Sequence, residues 1–149
     1  TVQWFSLGFI ALSHLNWALC ESYSIEVKVM EVVSFIDIEE TENDLMISFA
    51  IDIGDGYIET LLLHRQLIGE FALPEDERGT KVSHTGSDIP DEFLNRLESV
   101  EVDGSIISIK ARFSSYQIDL QKISREEINQ IYESLKRHNF DSQFKVQFT

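Results

Sequence analysis

A chain of 149 residues, 43% hydrophobic and 26% charged, is long enough to bury its own core without disulfides or a structural metal and does not have the composition of a disordered protein. A single cysteine, Cys20, closes no internal disulfide, which is compatible with a reducing compartment. With 26 acids against 12 Lys plus Arg the formal net charge is -14, a field that repels nucleic acid and anionic membrane and speeds encounter with a basic partner.

The acids are unevenly placed. Between Glu21 and Thr60 there are eleven acids and one base, Lys28, whereas from Glu101 to Thr149 seven acids meet seven bases. Solvation alone explains an acidic surface, but it does not require one this lopsided.

Residues 1–20 carry no charged side chain other than a protonated His14, and read Trp-Phe-Ser-Leu-Gly-Phe-Ile-Ala-Leu before a more mixed run ending at Cys20. Three readings stay open: a cleaved or membrane-associated leader with Ala18-Leu19-Cys20 near the cut, an apolar helix or strand packed on the domain, or an extension outside the fold. No basic segment precedes the apolar one, and Gln3, His14 and Asn16 interrupt any membrane span. Residues 21–149 form the expected single domain.

Residues 23–35 alternate Ile25, Val27 and Val29 with Ser24, Glu26 and Lys28, the period of a strand with one wet face. The alternation slips at Glu31-Val32-Val33, as at a bulge or a strand end. Residues 37–44 then hold five acids, Asp37, Glu39, Glu40, Glu42 and Asp44, and predict an exposed polar connection. From Leu45 to Ile53 the odd positions are apolar, Gly54-Asp55-Gly56 supplies turn chemistry, and residues 57–65 carry a second strand that is apolar on both sides near its end. This is a central hairpin.

Residues 66–81 predict a long loop with a short strand or one helical turn, and 81–84 a short strand. Ser87-Asp88-Ile89-Pro90-Asp91-Glu92 opens like a capped helix with Phe93, Leu94 and Leu97 on its apolar face. Asp103-Gly104 joins the strands of a second hairpin, Val100 and Val102 on one side, Ile107, Ile109 and Ala111 on the other. A strand at 116–120 follows. Ser124-Arg-Glu-Glu127 is a capping box, and Ile128, Ile131, Tyr132 and Leu135 form one helical stripe running to about His138. Phe144, Val146 and Phe148 alternate as a last strand. The expected fold is α+β: an antiparallel β-sheet of about six strands with the C-terminal helix on one face.

No catalytic set or metal-ligand spacing stands out. His14, His64, His84 and His138 are dispersed and read as ordinary surface or core-edge histidines. Asp52-Ile-Gly-Asp55-Gly56 suggests a calcium loop, yet glycines fill its third and fifth positions and Leu63 stands where the bidentate glutamate belongs. Paired acids such as Glu39 with Glu40, or Asp91 with Glu92, leave a hydrolase as a third reading, though an acidic protein always offers such pairs. Trp4, Trp17, Tyr57 and Tyr116 are available as interface anchors, with core or leader the plainer use of each.

At Leu61-Leu62-Leu63-His64-Arg65 the chain resembles the tenth immunity-protein family of bacterial polymorphic-toxin systems. Phe49-Ala50, Asp52, Tyr57, Leu61 to Leu63 and Arg65 match one block; Leu97-Glu98, Val100-Glu101-Val102, Ile106 and Ile109 match a second. The resemblance implies a small α+β protein that acts in the cytosol and neutralises a cognate toxin. The expected function is therefore an immunity protein without catalysis, cofactor or metal, covering a basic toxin surface with Asp37, Glu39, Glu40, Glu42 and Asp44, and with Asp52 and Asp55 on the adjoining turn. Arg65 is assigned to a structural ion pair. The alternative is a secreted or envelope-associated β-rich binding domain, exported with cleavage near Cys20; membrane association would then rest on residues 1–20.

Overall fold

The computed structural model describes residues 30–90 and 92–149, so the expectations for residues 1–20, for the strand before Met30 and for Asp91 lie outside the described residues. The strands are β1 (Glu31–Glu40), β2 (Asp44–Gly54), β3 (Tyr57–Gln66), β4 (Lys81–His84), β5 (Leu97–Asp103), β6 (Ile106–Ala111), β7 (Ser115–Asp119) and β8 (Lys145–Phe148). One α-helix, α1 (Arg125–His138), lies between β7 and β8. The fold is α+β, with the described strands in a single sheet of order β4-β3-β2-β1-β7-β6-β5-β8.

Among the described residues the sheet has eight strands where about six were expected, and it is mostly rather than wholly antiparallel. The short strands β4 and β8 complete it, and β1–β7 and β5–β8 run parallel. The β5–β8 pairing follows from α1, which carries the chain back so that β8 enters beside β5 in the same direction.

Alternation sorts the side chains. Ile47, Phe49 and Ile51 of β2 meet Leu61 and Leu63 of β3 and Val82 of β4 on the inner face, all buried. The hairpin tip is a two-residue turn, Asp55-Gly56, with φ of 54° and 80°, the left-handed pair that suits strand twist. Asp52 Oδ1 accepts the Gly54 amide at 2.9 Å beside a register shift. A second register shift between Val33 and Phe35 changes the parity of β1. It sends Phe35 outward and turns Ile36 and Ile38 toward the core.

That bulge corrects the first strand boundary. Residues 37–40 are not part of a loop but the second half of β1; only 41–43 turn, with Thr41 Oγ1 accepting the amides of Asn43 and Asp44. The acids were compatible with a strand because Ile36 and Ile38 alternate with Asp37 and Glu39.

The helix expected from Asp88 is also absent among the described residues. There is only a turn, Phe93 donating to the Pro90 carbonyl, and Leu97 opens β5. Tertiary pairing prevails over capping chemistry here: Lys81 bridges Arg96, Val82 donates to the Asn95 carbonyl at 2.8 Å, and Leu97 donates to the Thr80 carbonyl at 2.8 Å. The edge strand β4 is thereby joined to the approach of β5, so the sheet curls around its core.

The predicted capping box forms, Ser124 Oγ accepting the Glu127 amide while the Glu127 carboxylate accepts the Ser124 amide. Ile131 and Leu135 of α1 are buried against the sheet, with Ile128 and Tyr132 half-buried beside them, and α1 packs on β1 and β2. No helix among the described residues is long and apolar enough to cross a membrane.

Arg65 fixes the far end of that helix. It sits on the inner face of β3 with 0% exposure. Its Nη1 donates to the His138 carbonyl at 2.7 Å and to Asp141 Oδ1 at 2.8 Å. Its Nη2 donates to Asp141 Oδ2 at 2.8 Å and Glu70 Oε1 at 2.6 Å, and Nε donates to Glu70 as well. Phe140 stacks on the guanidinium at 4.3 Å. Removing the cation would leave two carboxylates and a helix-end carbonyl uncompensated, so Arg65→Ala is expected to cost about 3–5 kcal/mol of stability in urea unfolding. Arg65→Lys should recover only part, because a point charge cannot span both carboxylates; an unchanged midpoint for the alanine variant would deny the cluster this role.

Candidate functional site

The acids predicted to meet a partner are divided by β1, which carries three of the seven, Asp37, Glu39 and Glu40. Asp37 and Glu39 project from the outer face of β1, opposite Ser48 and Met46, and are exposed. Two residues on one strand face stand roughly 7 Å apart, so the pair makes a short acidic row. Glu42 is exposed in the turn. Asp44, at the start of β2, faces His64 on β3 at 2.8 Å.

Glu40 points the other way. Its Oε2 accepts from Arg137 Nε at 2.7 Å and from Ser134 Oγ at 2.8 Å, tying β1 to α1. Burial would raise its carboxyl, but the hydrogen bonds from Arg137 and Ser134 and the Arg137 charge hold it below the ordinary value.

Between β1 and α1 lies a groove of about 620 Å³ lined by Ile38 and Glu40 and by Glu126, Asn129, Gln130, Glu133 and Arg137. The strand edge above it has no partner strand beyond Val32 among the described residues, because the β1–β7 pairing stops at Val32 and Asp119. Acidic side chains therefore flank this edge on both sides: Asp37 and Glu39 outside, Glu126 and Glu133 across the groove. Lys136 pairs with Glu133 at 3.2 Å on the solvent side, and Arg137 is committed to Glu40.

Asp52 and Asp55 do not adjoin this surface. They lie at the opposite end of the β2–β3 hairpin, roughly 27 Å from Asp44 along β2 at the usual strand rise. The structure thus brings together Asp37, Glu39, Glu42 and Glu40 and separates them from the second turn. The helix acids Glu126 and Glu133 escaped the sequence reading. Their signal was available as a polar stripe at 126, 129, 130, 133 and 137, next to the apolar stripe and with the same helical spacing.

The histidines occupy distinct settings. His14 lies outside the described residues. His138 is fully buried at the end of α1, Nδ1 2.9 Å from Thr80 Oγ1, and its Nε2 has no hydrogen-bond partner among the described residues. Burial lowers its pKa to about 4 from 6.5; the Glu40 carboxylate opposes this, and the positive charges of Arg65, His64 and Arg137 reinforce it. His84 sits on β4 with Tyr116 stacked on its ring at 5.2 Å. Tyr57 is exposed at the hairpin tip, and Trp4 and Trp17 lie outside the described residues.

No protein-family model, curated protein or solved structure matches the chain.

The buried imidazole makes stability depend on pH. Unfolded, it binds its proton near 6.5; folded, only near 4, so between these values the unfolded chain holds more protons and falling pH removes stability. The loss attributable to His138 is about 3 kcal/mol once pH is below both values. Asp141, held low by its hydrogen bonds from Arg65, loses stability in the same direction at lower pH, whereas Glu31, whose carboxyl burial raises, loses its contribution as pH rises. Thermal unfolding followed from pH 7 to pH 4 should show the midpoint falling, and His138→Gln should flatten the part of the decline between 6.5 and 4. Parallel curves for the two proteins would exclude His138 as the source.

Proposed function

We propose that the chain is a non-catalytic binding protein of the immunity kind, which neutralises a cognate toxin by laying the acidic β1 edge and its groove on a basic protein surface. One observation carries the reading: Asp37, Glu39 and Glu42 are exposed around one rigid strand and its turn, and among the described residues none has a cation within ion-pair distance. Their charge is left for a partner. The net charge of -14 supports fast, salt-sensitive association with a cationic protein and opposes contact with nucleic acid. Short strand rows of like charge suit Arg and Lys side chains of a partner, with the groove to take one of them beside Glu126 and Glu133.

Glu40 has a different part in this reading. Because Arg137 already compensates it, Glu40 holds β1 and α1 in register and adds little to attraction. Asp52 and Asp55, at the far end of the hairpin, are outside the contact.

The test is a basic protein that copurifies with the chain from its native host, bound to variants at two salt concentrations. Asp37→Lys, Glu39→Lys and Glu42→Lys together should weaken binding at least about 100-fold at low salt, equivalent to about 2.7 kcal/mol, chiefly through slower association. Asp52→Lys with Asp55→Lys should change it less than about 3-fold. Equal losses from the two variants would mean that only overall charge matters, and no loss from the triple variant would remove this surface from consideration.

A further inference from the structure

At the end of the sheet opposite Arg65, three side chains from three strands converge on the inner face. Glu31 opens β1, Glu59 lies on β3 and His84 closes β4. The register explains the convergence: Val33 pairs with Ile51 and Ile51 with Glu59, while Leu61 pairs with His84. All three groups thus follow directly on the last apolar layer. His84 Nε2 is 3.4 Å from Glu59 Oε1 and 3.9 Å from Glu31 Oε2, and one ligand atom from each residue lies within 4.8 Å of the others.

We infer that Glu31, Glu59 and His84 form a binding site for a divalent transition-metal cation, one ligand atom from each, with the remaining coordination positions open to water. This departs from the expectation that His84 is an ordinary histidine.

Three observations support the site. The His84 side chain is only 10% exposed, and its buried Nε2 faces both carboxylates at ion-pair distance without making a hydrogen bond to either. A buried polar atom that makes no hydrogen bond calls for a water or an ion to complete it. The Nε2–Oε1 separation of 3.4 Å matches the roughly 3.4 Å between ligand atoms about 2.1 Å from a tetrahedral Zn²⁺, while Glu31 Oε2, 3.9 Å from Nε2, would have to draw in on binding. Third, the surroundings hold the ring and leave room for the acids. Tyr116 stacks on the imidazole, and a Cβ at position 86 would come 3.0 Å from Glu59 Oε2 and 3.2 Å from His84 Cε1, so glycine there keeps the cluster uncrowded.

The donor set indicates the class of ion. One imidazole and two carboxylates, without thiolate, suit Zn²⁺, Mn²⁺ or Fe²⁺; the imidazole disfavours Mg²⁺ and Ca²⁺, which prefer oxygen alone. Glu31 and Glu59 are 24% and 28% exposed, so an ion can enter from solvent.

Binding changes the tautomer of His84. The Gly86 amide donates to Nδ1 at 3.1 Å, which places the proton of the neutral ring on Nε2. With a cation on Nε2 that proton resides on Nδ1, and the amide of exposed Gly86 turns to water.

The test uses the full chain, stripped of metal and titrated with Zn²⁺ by calorimetry, with the histidine ring nitrogens followed by NMR. One Zn²⁺ per chain is expected at this site. Glu59→Gln and His84→Gln should each weaken it at least about 100-fold, the upper end of what losing an outer-shell partner costs. His64→Gln, which alters the His64–Asp44 pair on the other side of the sheet, should bind as the parent does. In the parent, the His84 resonances should convert from the Nε2-protonated to the Nδ1-protonated pattern as Zn²⁺ is added. Parent-like titrations of the two ligand variants would overturn the inference. If either variant fails to fold, as judged by its far-ultraviolet spectrum, the His84 resonances of the parent decide, and their indifference to Zn²⁺ would overturn it equally. Partner binding by the acidic β1 edge is independent of this outcome, because Asp37, Glu39 and Glu42 contribute no ligand.

Discussion

The guanidinium of Arg65 is the interaction on which the arrangement of the helix rests. A planar cation with five N–H donors can satisfy two carboxylates and a carbonyl at once, and Arg65 does so with 0% exposure. Each partner comes from a different piece of chain: Glu70 from the loop after β3, the His138 carbonyl from the end of α1, Asp141 from the turn that follows. Glu70 Oε2 also accepts the Gly79 amide at 3.1 Å, so both ends of that loop are held by one carboxylate. A cation at the helix C-terminus is favoured by the helix dipole as well. With the end of α1 fixed here, and its last turns held to β1 through Glu40, Ser134 and Arg137, the polar stripe of the helix has one place to lie, along β1.

That constraint turns a list of acids into a surface. Strand alternation gives Glu40 to the helix and Asp37 and Glu39 to solvent, so neighbouring residues of like charge do opposite things. Glu40 is compensated and structural; Asp37 and Glu39 are uncompensated and available. A scattered population of carboxylates would only repel anions in general. Acids arrayed on one strand, beside a groove with Glu126 and Glu133 on its far wall, hold charge at defined positions, which is what the proposed recognition of a protein partner would use.

Much of this was legible in the sequence where a pattern was local. The Leu45 to Arg65 hairpin, the Asp103-Gly104 hairpin and the helix from its capping box follow from alternation, turn residues and 3.6-residue periodicity, all short-range. The misreadings have a common physical origin, in that distant pairing decided them. Residues 37–40 extend β1 because Ile36 and Ile38 face a core that the acid count concealed, and 88–97 forgo a helix because Asn95 to Leu97 hydrogen-bond to β4. Arg65 was readable as an ion-pair residue from its place at the end of an apolar strand, but Glu70 and Asp141 were not, since they are five and 76 positions away. The meeting of Glu31, Glu59 and His84 was invisible for the same reason: no spacing rule links residues on three strands.

The two ends of the curled sheet pose one physical problem and solve it differently. At each, the inner face passes from an apolar layer to ionisable groups that need partners away from bulk water. At the Arg65 end every guanidinium N–H finds an acceptor, so the cluster is closed and its role is to hold the fold. At the His84 end the carboxylates converge on a nitrogen that makes no hydrogen bond to them, with solvent reaching the acids. An open arrangement costs stability that an apolar or fully paired set would not. Position 86, where a side chain would press on Glu59 and His84, leaves the space that such a cluster needs. Structural closure at one end and chemical openness at the other set the proposed ion site apart from the groove, so that the proposed ion and the proposed partner would draw on different residues.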